Sequence, residues 1–493
     1  MVHLLKTARL LRKGYTNMTK QIIDVPALCF GTRYDSLNKQ DIVDLGTGEV
    51  LGRLGLVLEN RIASDCIRSG LLRKASDLLQ EIPVRDRILM SIRAGDIFEN
   101  EDLFCGEYGQ TPEDYTILLG RTSGLSYRLA KANTSRIATA LKNTEAIMNG
   151  LSRGLPLDIY DSGVGEQGGS VVRIVPRIEA LGCAMPNNSP GVHVTWLTCP
   201  AFGIPVLIRP GSSEPFTPYR LIQSFIRAGF PKEVFGYYPC DHNAANRIPE
   251  LTKGAIVFGS DDVVKKWSSY PLVQVHGSGF SKLFVGEDLI EDWKSLIPEL
   301  ADNVAANSGR SCFAVSRIVV PKYGKEIAHA LAEELSKIVP LPLDHPESVL
   351  SAMAMPERAT MINETIEKGL KQGGAVDVSA QFRQGSRLVE FQGRKYFLPT
   401  VIHCDSSRHP LANEEFLFPF TAVVESSNDD AFNEMGQTLS LAVYTNDESL
   451  KRRARQSGVS LVSINTGTSK LDRCQPHEEN LFELLFNRLS YVE

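Results

Sequence analysis

Through residues 76–143 apolar side chains recur three and four positions apart, as in Leu78, Leu79 and Ile82, Leu125 and Leu129, or Ile137 and Leu141. An α-helix turns once in about 3.6 residues, so this spacing gathers them on one stripe and predicts a mostly helical region. Over residues 154–175 the pattern changes to glycine-rich alternation, which suits a protruding β-hairpin better than a core element. Between residues 179 and 260 short apolar runs alternate with helical windows, giving strands at 204–208 and 256–258 and a helix at 218–228 that turns Leu221, Ile222 and Phe225 inward. Such alternation implies βαβ units around a parallel sheet, and sheets of this kind bind ligands at the carboxyl ends of their strands.

After Gln274 the alternation restarts, with a strand at 317–320 and a helix at 325–338 that carries Ile327, Leu331 and Leu335 on one stripe. A second α/β domain is the economical explanation. The proline-rich, acidic stretch 339–356 reads as a surface connection, and 478–489 reads as helix. A chain of 493 residues with 43% apolar and 23% charged composition has length enough for two or three domains with cores of their own. The expected division is a basic extension at 1–22, a dinucleotide-binding domain at 23–153 and 177–272, a hairpin arm at 154–176, a catalytic domain at 273–465 and a C-terminal segment at 466–493.

A formal charge of −5 gives no extended field, and the absence of a long basic run argues against a nucleic-acid partner. Nine scattered cysteines, without paired Cys-x-x-Cys spacing, read as reduced thiols in a cytoplasmic compartment and give no metal set. No window reaches the roughly 18 uninterrupted apolar residues of a membrane span, so no membrane partner is expected. The first 23 residues carry Lys6, Arg9, Arg12, Lys13 and Lys20 and no acid before Asp24, a composition shared by transit peptides, short packing helices and plain basic extensions.

Several motifs stand in one order. The run from Gly309 through Arg310, Ser311 and Cys312 to Arg317 resembles the cysteine signature of the aldehyde dehydrogenase superfamily, and Pro186-Asn187-Asn188-Ser189-Pro190 is similar to its Pro-Trp-Asn-Phe-Pro loop. Arg209-Pro210-Gly211-Ser212-Ser213-Glu214-Pro215 resembles the cofactor-binding Lys-Pro-Ser-Glu segment, and Phe258-Gly259-Ser260 the Gly-Ser that opens a pyrophosphate-facing helix. Phe397-Leu398-Pro399-Thr400-Val401, Glu414-Glu415-Phe416-Leu417-Phe418-Pro419 and the segment from Leu441 to Asp447 are similar to three further family segments.

The resemblance implies an α/β fold with two Rossmann-like domains and a β-hairpin oligomerisation arm, acting as a homodimer or higher homo-oligomer. It also implies NAD(P)-dependent oxidation of an aldehyde. The Cys312 thiolate attacks the carbonyl carbon, since thiolate rather than thiol is the nucleophile. Asn188 and the Cys312 N–H hold the oxyanion, and oxidation leaves an acyl thioester on Cys312. Arg209, Ser212, Gly259 and Ser260 bind the adenosine ribose and pyrophosphate, and Glu415 the nicotinamide ribose.

The departures from the family pattern carry information. Gln274 falls where hydrolytic members use a glutamate as general base, and an amide cannot take a proton from water. Release by coenzyme A would make this a CoA-acylating enzyme that also runs as an acyl-CoA reductase. Alternatively His276, two residues on and so on the same face of a strand, stands in as base, a task that suits an imidazole. A catalytically impaired nucleotide-binding protein, or a thioesterase using the same cysteine, are readings of another class. Arg209 replaces the usual lysine and Ser212 the usual glutamate, which favours or permits NADP. Asp261 and Asp262 bring negative charge to the expected phosphate-facing helix start, and Phe418 stands where the family has glycine. The C-terminal strand of the family is expected to be missing or reduced.

Overall fold

The computed structural model describes residues 22–68, 70–470 and 479–492. The basic residues of the leader and Cys474 lie outside the described residues. The described residues divide into two compact units, one taking 22–123, Ala130–Gly277 and 479–492, the other Gly124–Leu129 and 278–470.

Strands of the two large sheets are numbered here in chain order. In the first unit they are β1 (Ala27–Cys29), β2 (Thr32–Tyr34), β3 (Ala180–Ala184), β4 (Val206–Arg209), β5 (Phe235–Tyr237), β6 (Lys253–Phe258) and β7 (Val273–His276). They line up as β7-β6-β3-β4-β5-β1-β2. The five from β7 to β5 are parallel, and β1 and β2 add an antiparallel edge. β3 is buried almost throughout and β5 throughout, which is why both read as apolar runs rather than alternating ones. The helix Phe216–Ala228 follows β4 and buries Leu221, Ile222 and Phe225, whose ring stacks on Phe235 of β5 at 5.3 Å.

The second unit holds β8 (Lys282–Val285), β9 (Arg317–Val320), β10 (Ala375–Asp377), β11 (Thr400–Cys404), β12 (Phe420–Glu425), β13 (Ser440–Tyr444) and β14 (Leu461–Ile464), in the order β10-β11-β12-β9-β8-β13-β14. All neighbours pair in parallel except β10 with β11. Leu283, Ile318, Val423 and Ala442 from adjacent strands share one core with Ile327, Leu331 and Leu335 of the helix Gly324–Leu335.

Three local expectations are corrected. The helical stretch 76–143 is broken by a hairpin, Leu103–Cys105 paired with Tyr108–Gln110, because Gly106 supplies the turn. Residues 339–355 form no helix or strand and are a surface connection only in part, Val339 and residues 345–347 being exposed. Leu350 and Ala352 pack with Tyr396 in a small core, and Ser351 N donates to Ser308 Oγ at 2.8 Å. At the C-terminus the helix is only Leu481–Leu485, and a strand, Phe486–Ser490, is present. Phe482 and Phe486 both contact Tyr160, which halts the helix against the core and leaves the following residues extended. That strand pairs antiparallel with Ser170–Pro176 of the same chain, beside the hairpin partner Val164–Gln167.

Candidate active site

In the first unit the chain runs from β3 outward through β4 to β5, then returns to β6 and β7 on the other side of β3. The order therefore reverses between β3 and β6, the place where open α/β sheets bind ligands beyond their carboxyl ends. Most of the singled-out residues that belong to this unit lie there. Asn188 lies four residues past the end of β3, Arg209 ends β4 with Ser212 just after it, Gly259 and Ser260 follow β6, and His276 ends β7. Gln274 sits two residues earlier, buried and in register with Ile256.

Local bonds hold the loop after β3. Ser189 caps the short helix Pro190–Thr195 by accepting from Gly191 N, and Asn133 Oδ1 accepts from both Ser189 Oγ at 2.9 Å and Gly191 N at 3.1 Å. Asn187 Oδ1 accepts from Ser213 N at 2.8 Å, which ties the loop after β3 to the loop after β4. Beneath them His193 and Glu214 form a buried pair 3.7 Å apart. Ser260 is the first cap of the helix Asp261–Trp267, and Asp261 and Asp262 lie exposed in its first turn, where negative charge favours the helix dipole. Arg209 Nε is buried without a hydrogen-bond partner, which fits an anionic or hydroxyl-rich group of a dinucleotide arriving at the end of β4.

In the second unit Cys312 lies in the loop before β9. Asn307, Ser308 and Gly309 lead into it with three consecutive left-handed backbones, φ 50°, 59° and 69°. A Cβ on Gly309 would lie 2.1 Å from the carbonyl carbon of Phe418, so the nucleophile loop packs directly on the segment that carries Glu415. Phe418 itself avoids positive φ and stacks on Phe397 at 4.4 Å, so phenylalanine is accommodated where glycine was expected. Arg317 is buried and donates to the carbonyls of Ser407, Glu434 and Met435 and to Asn413 Oδ1, anchoring the strand behind the cysteine.

Exposure separates Cys312 from its fellows. Among the described cysteines it alone is half-exposed and the others are buried. Burial pushes the thiols of Cys29, Cys66, Cys105 and Cys404 up to about 12, and that of Cys240 to about 11, so none of these supplies thiolate near neutral pH. Burial also raises the Glu415 carboxyl, against the lowering effect of two backbone N–H donors and Lys282.

The family model for the aldehyde dehydrogenase family matches residues 110–478. The chain belongs to the aldehyde dehydrogenase family. It is 23% identical over 479 residues to a Staphylococcus epidermidis protein named "Putative aldehyde dehydrogenase", covering 92% of each chain. A Staphylococcus haemolyticus protein of the same name is 27% identical over 325 residues, 62% of this chain and 67% of the relative. Among solved structures, an indole-3-acetaldehyde dehydrogenase complexed with NAD+ superposes with a TM-score of 0.79 at 18% identity, covering 97% of this chain and 98% of that one. An NADP-dependent enzyme of E. coli gives 0.76 at 17% identity, covering 97% and 99%. The expected α/β aldehyde dehydrogenase fold is therefore present, and the chain is an oxidoreductase of the aldehyde dehydrogenase class.

In this aldehyde dehydrogenase several residues that hold the cysteine loop escaped the sequence reading. Ser281 Oγ donates to the Cys312 carbonyl at 2.7 Å, and Thr468 Oγ1 donates to the Phe313 carbonyl at 2.6 Å. Lys282 is buried and donates to Phe280 O, Gln437 O and Thr438 Oγ1. Serine and threonine carry no periodic signal, and their partners lie 31 and 155 positions away. Lys282 did leave one clue, a lysine opening an otherwise apolar strand. Among the described residues no cluster of His, Cys, Asp and Glu could hold a metal, and no helix is long and apolar enough to cross a membrane.

Proposed function

We propose that the protein oxidises a small aldehyde with NAD or NADP through a covalent thioester on Cys312. The observation that carries this reading is that Cys312, alone among the described cysteines, is spared full burial, in a loop whose carbonyls are fixed by Ser281 and Thr468. Asn188 and the Cys312 N–H would hold the oxyanion of the thiohemiacetal. A bound nicotinamide cofactor supplies the hydride acceptor. Arg209 and Ser212 would hold its adenosine ribose, Gly259 and Ser260 its pyrophosphate, and Glu415 its nicotinamide ribose. The unpartnered Arg209 Nε and the absence of a carboxylate at Ser212 support tolerance of a 2′-phosphate.

A second reading concerns release of the acyl group. Gln274 is a buried amide with no titratable proton, which favours coenzyme A as the acyl acceptor and reverse operation as an acyl-CoA reductase. His276, on the same face of β7, is the alternative base for water. Val164–Gln167 is the edge strand of its sheet, which supports a homodimer or higher homo-oligomer built through the hairpin.

The test is NAD(P)H formation from an aldehyde with and without CoA, together with mass analysis of acid-quenched protein. An acyl mass on the peptide containing Cys312, lost in Cys312→Ser together with turnover, is the expected result. Turnover retained by Cys312→Ser would sink the reading. Acyl-CoA as product decides for thiolysis, free acid without CoA for hydrolysis.

A further inference from the structure

Glu415 is already engaged by its own chain. Its Oε1 accepts from Gly279 N at 3.1 Å, and its Oε2 accepts from Phe280 N. Phe280 has φ 46°, a left-handed backbone that a bulky aromatic residue seldom adopts and that persists only where surrounding bonds over-determine it. A second side chain acts on the same residue from the other side, because Lys282 Nζ donates to Phe280 O at 2.8 Å. A carboxyl on the amides and an amine on the carbonyl thus grip one strained peptide residue.

The gripped turn abuts the cysteine. A Cβ on Gly279 would stand 2.0 Å from the Cys312 carbonyl oxygen, so the two backbones are in direct contact. Ser281 Oγ donates to that same oxygen, and Ser316 N donates to Ser281 O at 2.9 Å. Leu439 N donates to Gly279 O at 2.8 Å, which ties down the first residue of the turn as well. Both ends of the cysteine loop, Cys312 and Ser316, therefore take their position from a three-residue turn whose shape depends on Glu415 and Lys282.

We infer that Glu415 and Lys282 are positioning residues for Cys312, acting through the left-handed Phe280 turn, and that this role is separate from any contact of Glu415 with a cofactor. The consequence for turnover rests on Cys312 being the nucleophile; the clamp itself does not. Each carboxylate oxygen keeps a further lone pair, so a ribose contact is compatible with the clamp.

Substitution of Glu415 by Gln keeps the side chain's size but turns an NH2 group toward a backbone N–H, breaking half of the clamp. Phe280→Gly removes the need for it, since glycine adopts positive φ freely. Three proteins decide the matter: Glu415→Gln, Phe280→Gly, and the double variant. Each is assayed for kcat, cofactor Kd, melting temperature, and the rate at which iodoacetamide alkylates Cys312 without cofactor.

The clamp predicts that Glu415→Gln lowers the cofactor-free alkylation rate fivefold or more, with kcat falling too and a folded melting transition, whatever its effect on cofactor Kd. It predicts that adding Phe280→Gly restores the cofactor-free alkylation rate to within threefold of the unaltered protein, while any cofactor defect of Glu415→Gln stays. Unchanged or faster alkylation in Glu415→Gln, or no rescue in the double variant, overturns the inference. A rise in Kd alone would leave Glu415 as a cofactor ligand only, which also overturns it. Failure of the Cys312 reading is distinguishable, because turnover would then survive Cys312→Ser whatever residue 415 is.

Discussion

Phe258 and His276 stand in register at the carboxyl ends of β6 and β7, their rings stacked 4.6 Å apart with 19° between planes. Gly259 N donates to His276 O at 3.1 Å, so the loop that opens the Asp261–Trp267 helix is tied to the histidine's backbone. An imidazole fixed on one face by an aromatic ring has its nitrogens directed by the stack rather than left to rotate.

If His276 activates water, His276→Asn in a CoA-free assay leaves the first burst of NAD(P)H intact and slows acid release by about 10²-fold, the usual worth of a positioned base. Phe258→Ala, which frees the ring to turn, produces the same split at smaller size. Burst amplitude and steady-state rate, read from one stopped-flow trace, check it. Equal loss of both phases would place His276 before acyl transfer instead.

Gln274→Glu supplies the carboxylate that β7 lacks. The site is 5% exposed, so desolvation raises the new carboxyl and the base works only as pH rises above its elevated pKa. Acid formed without CoA is expected to increase tenfold or more, with the gain growing from pH 7 to 9. Leaving an imperfectly paired polar group buried costs about 2 kcal/mol, visible as a lower denaturant midpoint. Acid release that stays flat over that range would show that the face of β7 bearing residue 274 does not meet the acyl group.

Lys282 gives a pH signature in stability. Burial, with Arg317 adding repulsion and Glu415 opposing it, lowers the ammonium to about 7. An unfolded lysine titrates near 10.4. Between these values the unfolded chain holds a proton that the folded chain has lost, so stability from this group rises with pH across the window and its burial penalty is complete below it. Lys282→Met has no such dependence. The stability of the unaltered protein relative to Lys282→Met, from denaturant midpoints at pH 7, 8 and 9, is expected to increase at each step. A constant difference would mean that the three acceptors around Nζ keep it charged throughout.

The legible parts of this chain were those where one local pattern had one structural solution. β9 ends where the apolar run Arg317 to Val320 ends, and the stripe of Ile327, Leu331 and Leu335 became the buried face of Gly324–Leu335. Asn188, Arg209 and Gly259 were singled out by the family resemblance and His276 by its spacing from Gln274, and in the structure they stand at or just beyond the ends of parallel strands on one rim of the sheet. Ser281, Lys282 and Thr468 were illegible because each serves a backbone carbonyl, and a carbonyl has no letter in the sequence. Residues 339–356 mislead because their prolines and acids suggest surface, while Leu350 and Ala352 reach one core and Met353 packs against another. The C-terminal strand was hidden by Leu481, Phe482, Leu484 and Leu485, whose spacing reads as helix and is helix for five residues.

Gly309 is the position where the cysteine loop has least freedom. Its φ of 69° already strains any other residue, and an added methyl would fall 2.1 to 2.4 Å from the Phe418–Pro419 peptide, whose atoms cannot swing aside as a flexible side chain would. Gly309→Ala is expected to cost about 3 kcal/mol or more and to shift the loop rather than the sheet behind it, since β9 is anchored separately through Arg317. Denaturant unfolding gives the loss of stability, and alkylation of Cys312 under native conditions gives the shift of the loop. A variant that keeps both its midpoint and its alkylation rate would mean that residues 307–309 do not hold the left-handed path in solution, and the close packing of the cysteine loop on the Glu415 segment would fall with it.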